Sequence, residues 1–434
     1  MSKVVTRFAP SPTGLPHLGT GMYALLNFIY ARQKGGKVIM RSEDTDPVRS
    51  KREFEDAIKE DLKWLGVEWD EFYRQSERTD IYKKYIKQLI ESDHAYLSTE
   101  EKIEADGIAR VERAVVRFKN PNKVVTFVDM ARGEISVDTT DLNDFIIARD
   151  LNSPLYHLTV VADDIDMGVT HVIRGEDGLA NTPRQILIQE ALEAPRPVYC
   201  HYPFVLATNR SKMGKRNGAI GISEYRAQGY LPETLANFIM LNAWHPKSEN
   251  GVDQELFTLP ELIEKFELER IGKSGAIFDQ AKLDWLNREH MKKLSPEDLL
   301  EKAKPFLPNQ ESEKFLPLLL ERINKFGDLK TLIEPGGEYD FLTSTPEYAK
   351  ELLIGKSGAS TEEITKHLNW VLQSDFSKDS IFAYATEQGR GKVLWPLRVA
   401  LSGKEKSPDP FTLIQSLGLD ESRKRIQTAL DKLV

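Results

Sequence analysis

The chain has 434 residues, with 59 Lys and Arg against 67 Asp and Glu, a formal net charge of −8. That length exceeds one ordinary core and predicts roughly two to four domains, while the acidic total excludes a generally basic nucleic-acid coat but not a local RNA-binding face. The single cysteine, Cys200, excludes an intramolecular disulfide and a multi-cysteine zinc site, and reads as a small buried hydrophobe. No apolar run approaches the roughly 18 residues of a membrane span, and strand-like Val4 and Val5 leave no room for a leader, so a cytoplasmic protein with no membrane partner is expected.

Lys3 to Phe8 reads as a strand, followed by a turn-rich segment with Pro10, Pro12, Gly14 and Pro16. A helix starts near Gly19, because Met22, Leu25, Leu26, Ile29 and Tyr30 share one face at helical spacing. Gly35 and Gly36 end it, and Lys37 to Arg41 is a second strand. Strand, loop, helix, strand is a βαβ unit, which calls for a parallel sheet. Helices are predicted over Phe54 to Trp64 and Ile81 to Ser92. From about Ser98 to Ile147 the pattern changes to short strands over Arg113–Lys119, Lys123–Val128 and Glu134–Val137, expected to form an insertion outside the parallel sheet. Mixed signals resume over Tyr156–Asp163, Thr170–Arg174, Pro183–Leu192 and Tyr199–Leu206. Beyond about Leu256 the pattern is amphipathic and helical, with Leu318, Leu319, Ile323, Leu352 and Leu353 among the core residues.

A parallel βαβ unit binds anions where the loop after a strand meets a helix N-terminus. Gly19 and Gly21 sit at that junction, where a glycine lets a base or phosphate approach the backbone. His17 stands just before the helix, where a neutral imidazole can donate one hydrogen bond to a phosphate oxygen. Lys212-Met213-Gly214-Lys215-Arg216 puts two lysines on a glycine-containing loop, a clamp that would stabilise charge on departing pyrophosphate. Taken singly these readings stay open: His-X-Gly before a helix also suits a structural turn, and a lysine loop also suits a solvated surface.

The string Arg7-Phe-Ala-Pro-Ser-Pro-Thr-Gly14, with His17-Leu18-Gly19-Thr20, resembles the N-terminal motif of glutamyl-tRNA synthetases, a class I family. Lys212 to Arg216 resembles that family's lysine loop, with Gly214 where serine is common. Arg41-Ser42-Glu43-Asp44-Thr45-Asp46 and His171-Val-Ile-Arg174-Gly-Glu-Asp177 match two further motifs; Gly178 stands where many members have histidine. The resemblance implies ATP as co-substrate, with magnesium, bound by His17, Gly19, Thr20, Glu176, Asp177 and Lys215. It assigns His17, Lys212 and Lys215 to the chemistry. It places Arg7, Ala9, Ser11, Glu43, Tyr156 and Arg174 against glutamate, with Glu43 serving the ammonium group and Arg7 and Arg174 reading the side-chain carboxylate. A planar guanidinium suits that carboxylate.

The same resemblance implies the layout. An α/β, Rossmann-like parallel-sheet catalytic domain (1–97 and 149–222) carries an acceptor-binding insertion (98–148). A segment bracing the tRNA inner bend (223–300) and an all-helical anticodon-binding domain (301–434) follow. The insertion looks short and lacks the cysteines that bind zinc in some members, so no zinc or other resident metal is expected. Arg184, Arg390, Lys392 and Arg398 are candidate tRNA contacts. The expected partners are tRNA, ATP and L-glutamate, and the chain is expected to act as a monomer. Glutaminyl enzymes differ at the first two motifs and carry β-barrel anticodon domains. A glutamyl-transferring tRNA-modification enzyme would lack the helical tail. Members of the family charge tRNA for glutamate, for glutamine or for both, and often activate glutamate after tRNA binds.

Overall fold

The computed structural model describes residues 3–103, 110–214, 220–248 and 253–434. The chain divides into two compact units, residues 1–226 with 231–286, and residues 227–230 with 287–434.

The first unit is built on β1 (Val5–Phe8), α1 (Leu18–Gln33), β2 (Lys37–Ser42), α2 (Arg52–Trp64), β3 (Glu71–Arg74) and α3 (Thr79–Glu91). Met22, Leu25, Leu26 and Ile29 of α1 are all buried, as their spacing requires. Five more strands follow in order: β4 (Ala95–Ile103), β5 (Arg110–Phe118), β6 (Val124–Asp129), β7 (Gly133–Asp138) and β8 (Phe145–Ala148). Then come α4 (Tyr156–Asp166), β9 (His171–Gly175), α5 (Thr182–Ala191), β10 (Val198–Tyr202), α6 (Ile222–Ala227), α7 (Pro232–Ala243), α8 (Leu259–Lys265) and α9 (Gln280–Met291).

The main sheet has the order β3-β2-β1-β9-β10-β6-β7. All its pairings are parallel except β6 with β7. This corrects the expectation that the middle segment stands outside the parallel sheet. β4, β5 and β8 do form a separate three-stranded antiparallel sheet. β6, however, pairs in parallel with β10, Tyr199 opposite Asp129, and brings β7 with it. The alternating burial along β6 fixes which face is inward but does not name the neighbouring strand. Val125 and Phe127 face the same core as Val172, Ile186 and Tyr199, so the main sheet gains cover by taking β6 as a strand.

β1 lies between β2 and β9, and the chain winds outward from it in both directions. Such a reversal opens a crevice at the carboxyl ends of the strands, where ligands bind in open α/β sheets. Arg7 on β1, Arg41 on β2 and Arg174 on β9 all lie near those ends. Gly21, by contrast, serves packing: a Cβ there would meet Ile239, Leu65 and Ile222 at 3.0 to 3.3 Å.

In the second unit, α10 (Pro296–Ala303), α11 (Leu316–Leu319), α12 (Asp328–Ile333) and α13 (Lys350–Ile354) lead into five further helices. These are α14 (Thr361–Gln373), α15 (Lys378–Gln388), α16 (Arg390–Ser402), α17 (Pro410–Leu417) and α18 (Leu419–Leu433). α14 starts at a capping box in which Ser360 and Glu363 satisfy each other's backbone N–H. Its Ile364, Leu368 and Val371 are buried with Val393 and Leu397 of α16 and Ile426 of α18. No helix among the described residues is long and apolar enough to cross a membrane.

Candidate active site

A cleft of about 900 Å³ opens where β1 and β9 end. Arg7, Ala9, Ser11, Glu43, Tyr156 and Arg174 line it, together with His17, Gly19, Thr20, Asp177 and Lys212. All six residues expected to meet glutamate therefore share one cavity with most of those expected to meet ATP.

One end of the cleft is wired by buried charge. Arg7 Nε donates to both oxygens of Asp164 at 3.2 and 3.3 Å, and its Nη1 donates to the Tyr23 hydroxyl at 2.9 Å. Arg41, fully buried behind it, shares Asp164 at 2.7 Å and approaches Glu43 at 3.4 Å. Burial works against a charged Arg7, but Asp164 and Tyr23 together more than reverse it and hold the guanidinium above its ordinary pKa. Asp164 is held below the usual carboxylate range: burial raises it, and Arg7 and Arg41 together more than reverse that. Glu43 goes the other way, because its burial exceeds the help from Arg41 and Arg7. Neighbouring Asp163 binds Arg78 at 2.7 Å and accepts from Gln75 and Tyr82, each at 2.9 Å, which anchors α4 to α3.

Arg174 donates from Nε to His201 Nε2 at 3.0 Å and from Nη2 to Gly178 O and Thr182 Oγ1 at 3.0 and 2.8 Å. Among the described residues, Nη1 of Arg174 and Nη2 of Arg7 have no hydrogen-bond partner in the protein. Both arginines line the cleft.

The other end of the cleft is a helix start. His17 caps α1: its Nδ1 accepts from Gly19 N–H at 3.1 Å, while Thr20 Oγ1 accepts from His17 N–H. An accepting Nδ1 leaves the proton of the neutral ring on Nε2, the nitrogen suited to donate to a phosphate. A Cβ at Gly19 would come within 3.0 Å of the imidazole, so glycine makes room for the ring. Lys212 sits in the chain after β10, its ammonium 3.6 Å from the Phe204 ring centroid and 3.5 Å from Asp177. Glu176 does not line the cleft; it accepts from Phe204 N–H at 3.1 Å and binds Arg132 at 2.5 Å. Lys215 lies outside the described residues.

The RNA candidates are spread out. Arg184 lies on α5, above the Phe145 ring, and donates to Ala180 O. In the second unit, Arg390 covers Phe382, Lys392 pairs with Glu363 at 2.8 Å, and Arg398 donates to Glu405 O. Sequence reading assigned no role to Arg41, Asp163, Asp164, Asp129 or His201. Arg41 opens one of the motifs and Asp163 ends a segment of mixed signal, but their partners are distant in the chain.

Residues 3–106 and 97–285 match the family described as tRNA synthetases class I (E and Q), catalytic domain, and residues 298–430 match the anticodon binding domain. The chain belongs to the class I tRNA synthetases of the E and Q type. It is 37% identical to the glutamate–tRNA ligase of Aquifex aeolicus across all of both chains. It is 44% identical to that of a Hydrogenobaculum species over 70% of this chain and 72% of the relative. Among solved structures of the family, a glutamate tRNA ligase from Elizabethkingia meningosepticum, in complex with its amino acid, superposes with a TM-score of 0.88 at 29% identity, covering all of both chains.

Proposed function

We propose that this synthetase attaches L-glutamate to tRNA in two steps, through glutamyl-adenylate. In the first step an oxygen of the glutamate α-carboxylate attacks the α-phosphorus of magnesium-bound ATP in line. A carboxyl–phosphate bond forms, the bond from the α-phosphorus to the bridging oxygen breaks, and pyrophosphate leaves. In the second, a terminal ribose hydroxyl of tRNA attacks the acyl carbon, the bond from that carbon to the phosphate oxygen breaks, and AMP leaves with the hydroxyl proton on its phosphate. Neither step in this reading needs a side-chain base for the carboxylate; positioning and charge neutralisation carry the first.

The observation that carries this reading is the shared cleft: two buried guanidiniums at one end and a helix-capping imidazole with its proton on Nε2 at the other. Arg7 and Arg174 bind the side-chain carboxylate, Glu43 the α-ammonium, and Ala9, Ser11 and Tyr156 complete that end. His17 donates to a phosphate oxygen. Gly19, Thr20 and Asp177 flank the nucleotide, Glu176 braces its wall, and Lys212 and Lys215 close on the leaving pyrophosphate. Residues 98–148 and Arg184 serve the acceptor end, residues 223–300 the inner bend, and residues 301–434, through Arg390, Lys392 and Arg398, the anticodon arm. The chain works as a monomer in the cytoplasm.

ATP–pyrophosphate exchange with purified protein tests the proposal. Exchange is expected with glutamate, to depend on added tRNA, and to be far weaker with glutamine. No exchange with glutamate under any condition, or preference for glutamine, overturns it. Full-rate exchange without tRNA overturns the tRNA dependence alone.

A further inference from the structure

Behind Arg174 stands a buried chain of polar groups. An imidazole nitrogen that accepts a hydrogen bond carries no proton. His201 Nε2 accepts from Arg174 Nε at 3.0 Å, so the proton of the neutral ring sits on Nδ1. That Nδ1 lies 2.6 Å from Asp129 Oδ2. Asp129 is itself fixed: Oδ2 also accepts from His201 N–H at 3.0 Å, and Oδ1 accepts from Ala131 and Arg132 N–H at 3.1 Å each. Asp129, His201 and Arg174 are all buried. Burial lowers the His201 pKa against the opposing pull of Asp129, which keeps the ring neutral. Burial raises Asp129, but the bonds from the His201 ring and from the backbone N–H groups of His201 and Arg132 together more than reverse that and keep the carboxylate charged.

The space for this arrangement comes from Gly178. A Cβ at that position would lie 2.4 Å from Arg174 Nε and 2.6 Å from its Cδ. The arginine side chain occupies the volume that any other residue at 178 would claim.

We propose that Asp129, His201 and Gly178 are positioning residues for glutamate, fixing the ring tautomer and the place of the Arg174 guanidinium that meets the substrate carboxylate. The inference rests on reading Arg174 as a glutamate contact. It gives β6, the strand that joined the main sheet unexpectedly, a part in amino-acid binding. Asparagine at 129 keeps the shape but offers one NH2 where two oxygens now accept. Turned away from the ring, that NH2 opposes two N–H groups, those of Ala131 and Arg132; turned toward it, the NH2 opposes one, the His201 N–H, and donates to Nδ1. The ring proton is then driven to Nε2, where it opposes Arg174 Nε–H, a wrong-tautomer effect of the kind known for triad histidines.

The test measures glutamate KM and ATP KM by pyrophosphate exchange, with tRNA present, for Arg174→Ala, Asp129→Asn and Gly178→Ala. Each should raise glutamate KM by about tenfold or more and leave ATP KM within about twofold. In parallel, a long-range 1H–15N spectrum of histidine-labelled protein, assigned with His201→Asn, should show His201 as the Nδ1–H tautomer in the wild type and as Nε2–H in Asp129→Asn. If Arg174→Ala raises glutamate KM and the other two do not, the positioning chain is wrong and the glutamate reading stands. If Arg174→Ala leaves glutamate KM unchanged, the glutamate reading itself falls and takes the positioning role with it. A parallel rise in ATP KM marks general damage to the cleft and overturns the specific role. Should a variant fail to fold, an Nε2–H tautomer in the wild type still overturns the proposal.

Discussion

At the amino-acid end of the cleft Arg7, Arg41 and Asp164 are buried and interlocked, whereas at the nucleotide end the Lys212 and Asp177 side chains are 56% and 65% exposed. On the proposed reading, the difference follows from what each end must do. A dry, multiply bonded guanidinium meets a planar carboxylate with fixed geometry and discriminates against an uncharged analogue. A solvated ammonium contributes charge to a polyphosphate without demanding one orientation. The buried end should therefore be costly to disturb, and the exposed end cheap.

The largest effect is expected at Asp164→Asn, which leaves Arg7 and Arg41 without the carboxylate they share. Urea unfolding at pH 7 should show a loss of about 3 kcal/mol. The sign with pH follows from the depressed pKa of Asp164. Its stabilisation is complete above the ordinary carboxylate value near ~4 and fades as pH falls below it, so the gap between wild type and variant should close in acid. A gap independent of pH would mean that the charge network is not what stabilises α4.

His17→Ala comes next. Losing the α1 cap should cost about 1 kcal/mol, and removing a phosphate donor should slow exchange by roughly a hundredfold. A stability loss with an unchanged rate would reduce His17 to a cap.

Glu43 allows a pH test between 7 and 5. Its raised pKa means that it gains a proton earlier than an ordinary glutamate as pH falls, and a neutral carboxyl no longer attracts the α-ammonium. Glutamate KM should climb by several-fold toward pH 5 in the wild type and stay level in Glu43→Gln. Parallel curves would remove Glu43 from ammonium binding. The smallest stability effect belongs to Lys212→Ala, within about 0.5 kcal/mol of wild type, with a rise of a few-fold in ATP KM as its functional mark.

The contrast also explains what could be read from the sequence. The α1 stripe, β1, β2 and the helical tail were legible, because local periodicity carries them. The cleft residues were legible as strings. Their wiring was not: Asp164 meets Arg7 and Arg41 across more than a hundred residues, and two adjacent acids on a helix look like a solvated pair until strands close over them. β6 shows the same limit, since alternation sets its faces and not its neighbour. Gly178 stood out as an unusual glycine, but its reason, the volume taken by Arg174, exists only in three dimensions. Among the candidate tRNA contacts of the second unit, Lys392 is paired with Glu363, a partner 29 residues away that the sequence does not reveal.

The claim that the buried end selects glutamate is tested most directly at Arg7→Lys, which keeps a cation beside Asp164 but removes the guanidinium's second donor. Exchange measured with tRNA present should show kcat/KM for glutamate reduced by about a hundredfold, with ATP KM within about twofold of wild type. An unchanged glutamate kcat/KM, or equal losses for glutamate and ATP, would contradict it.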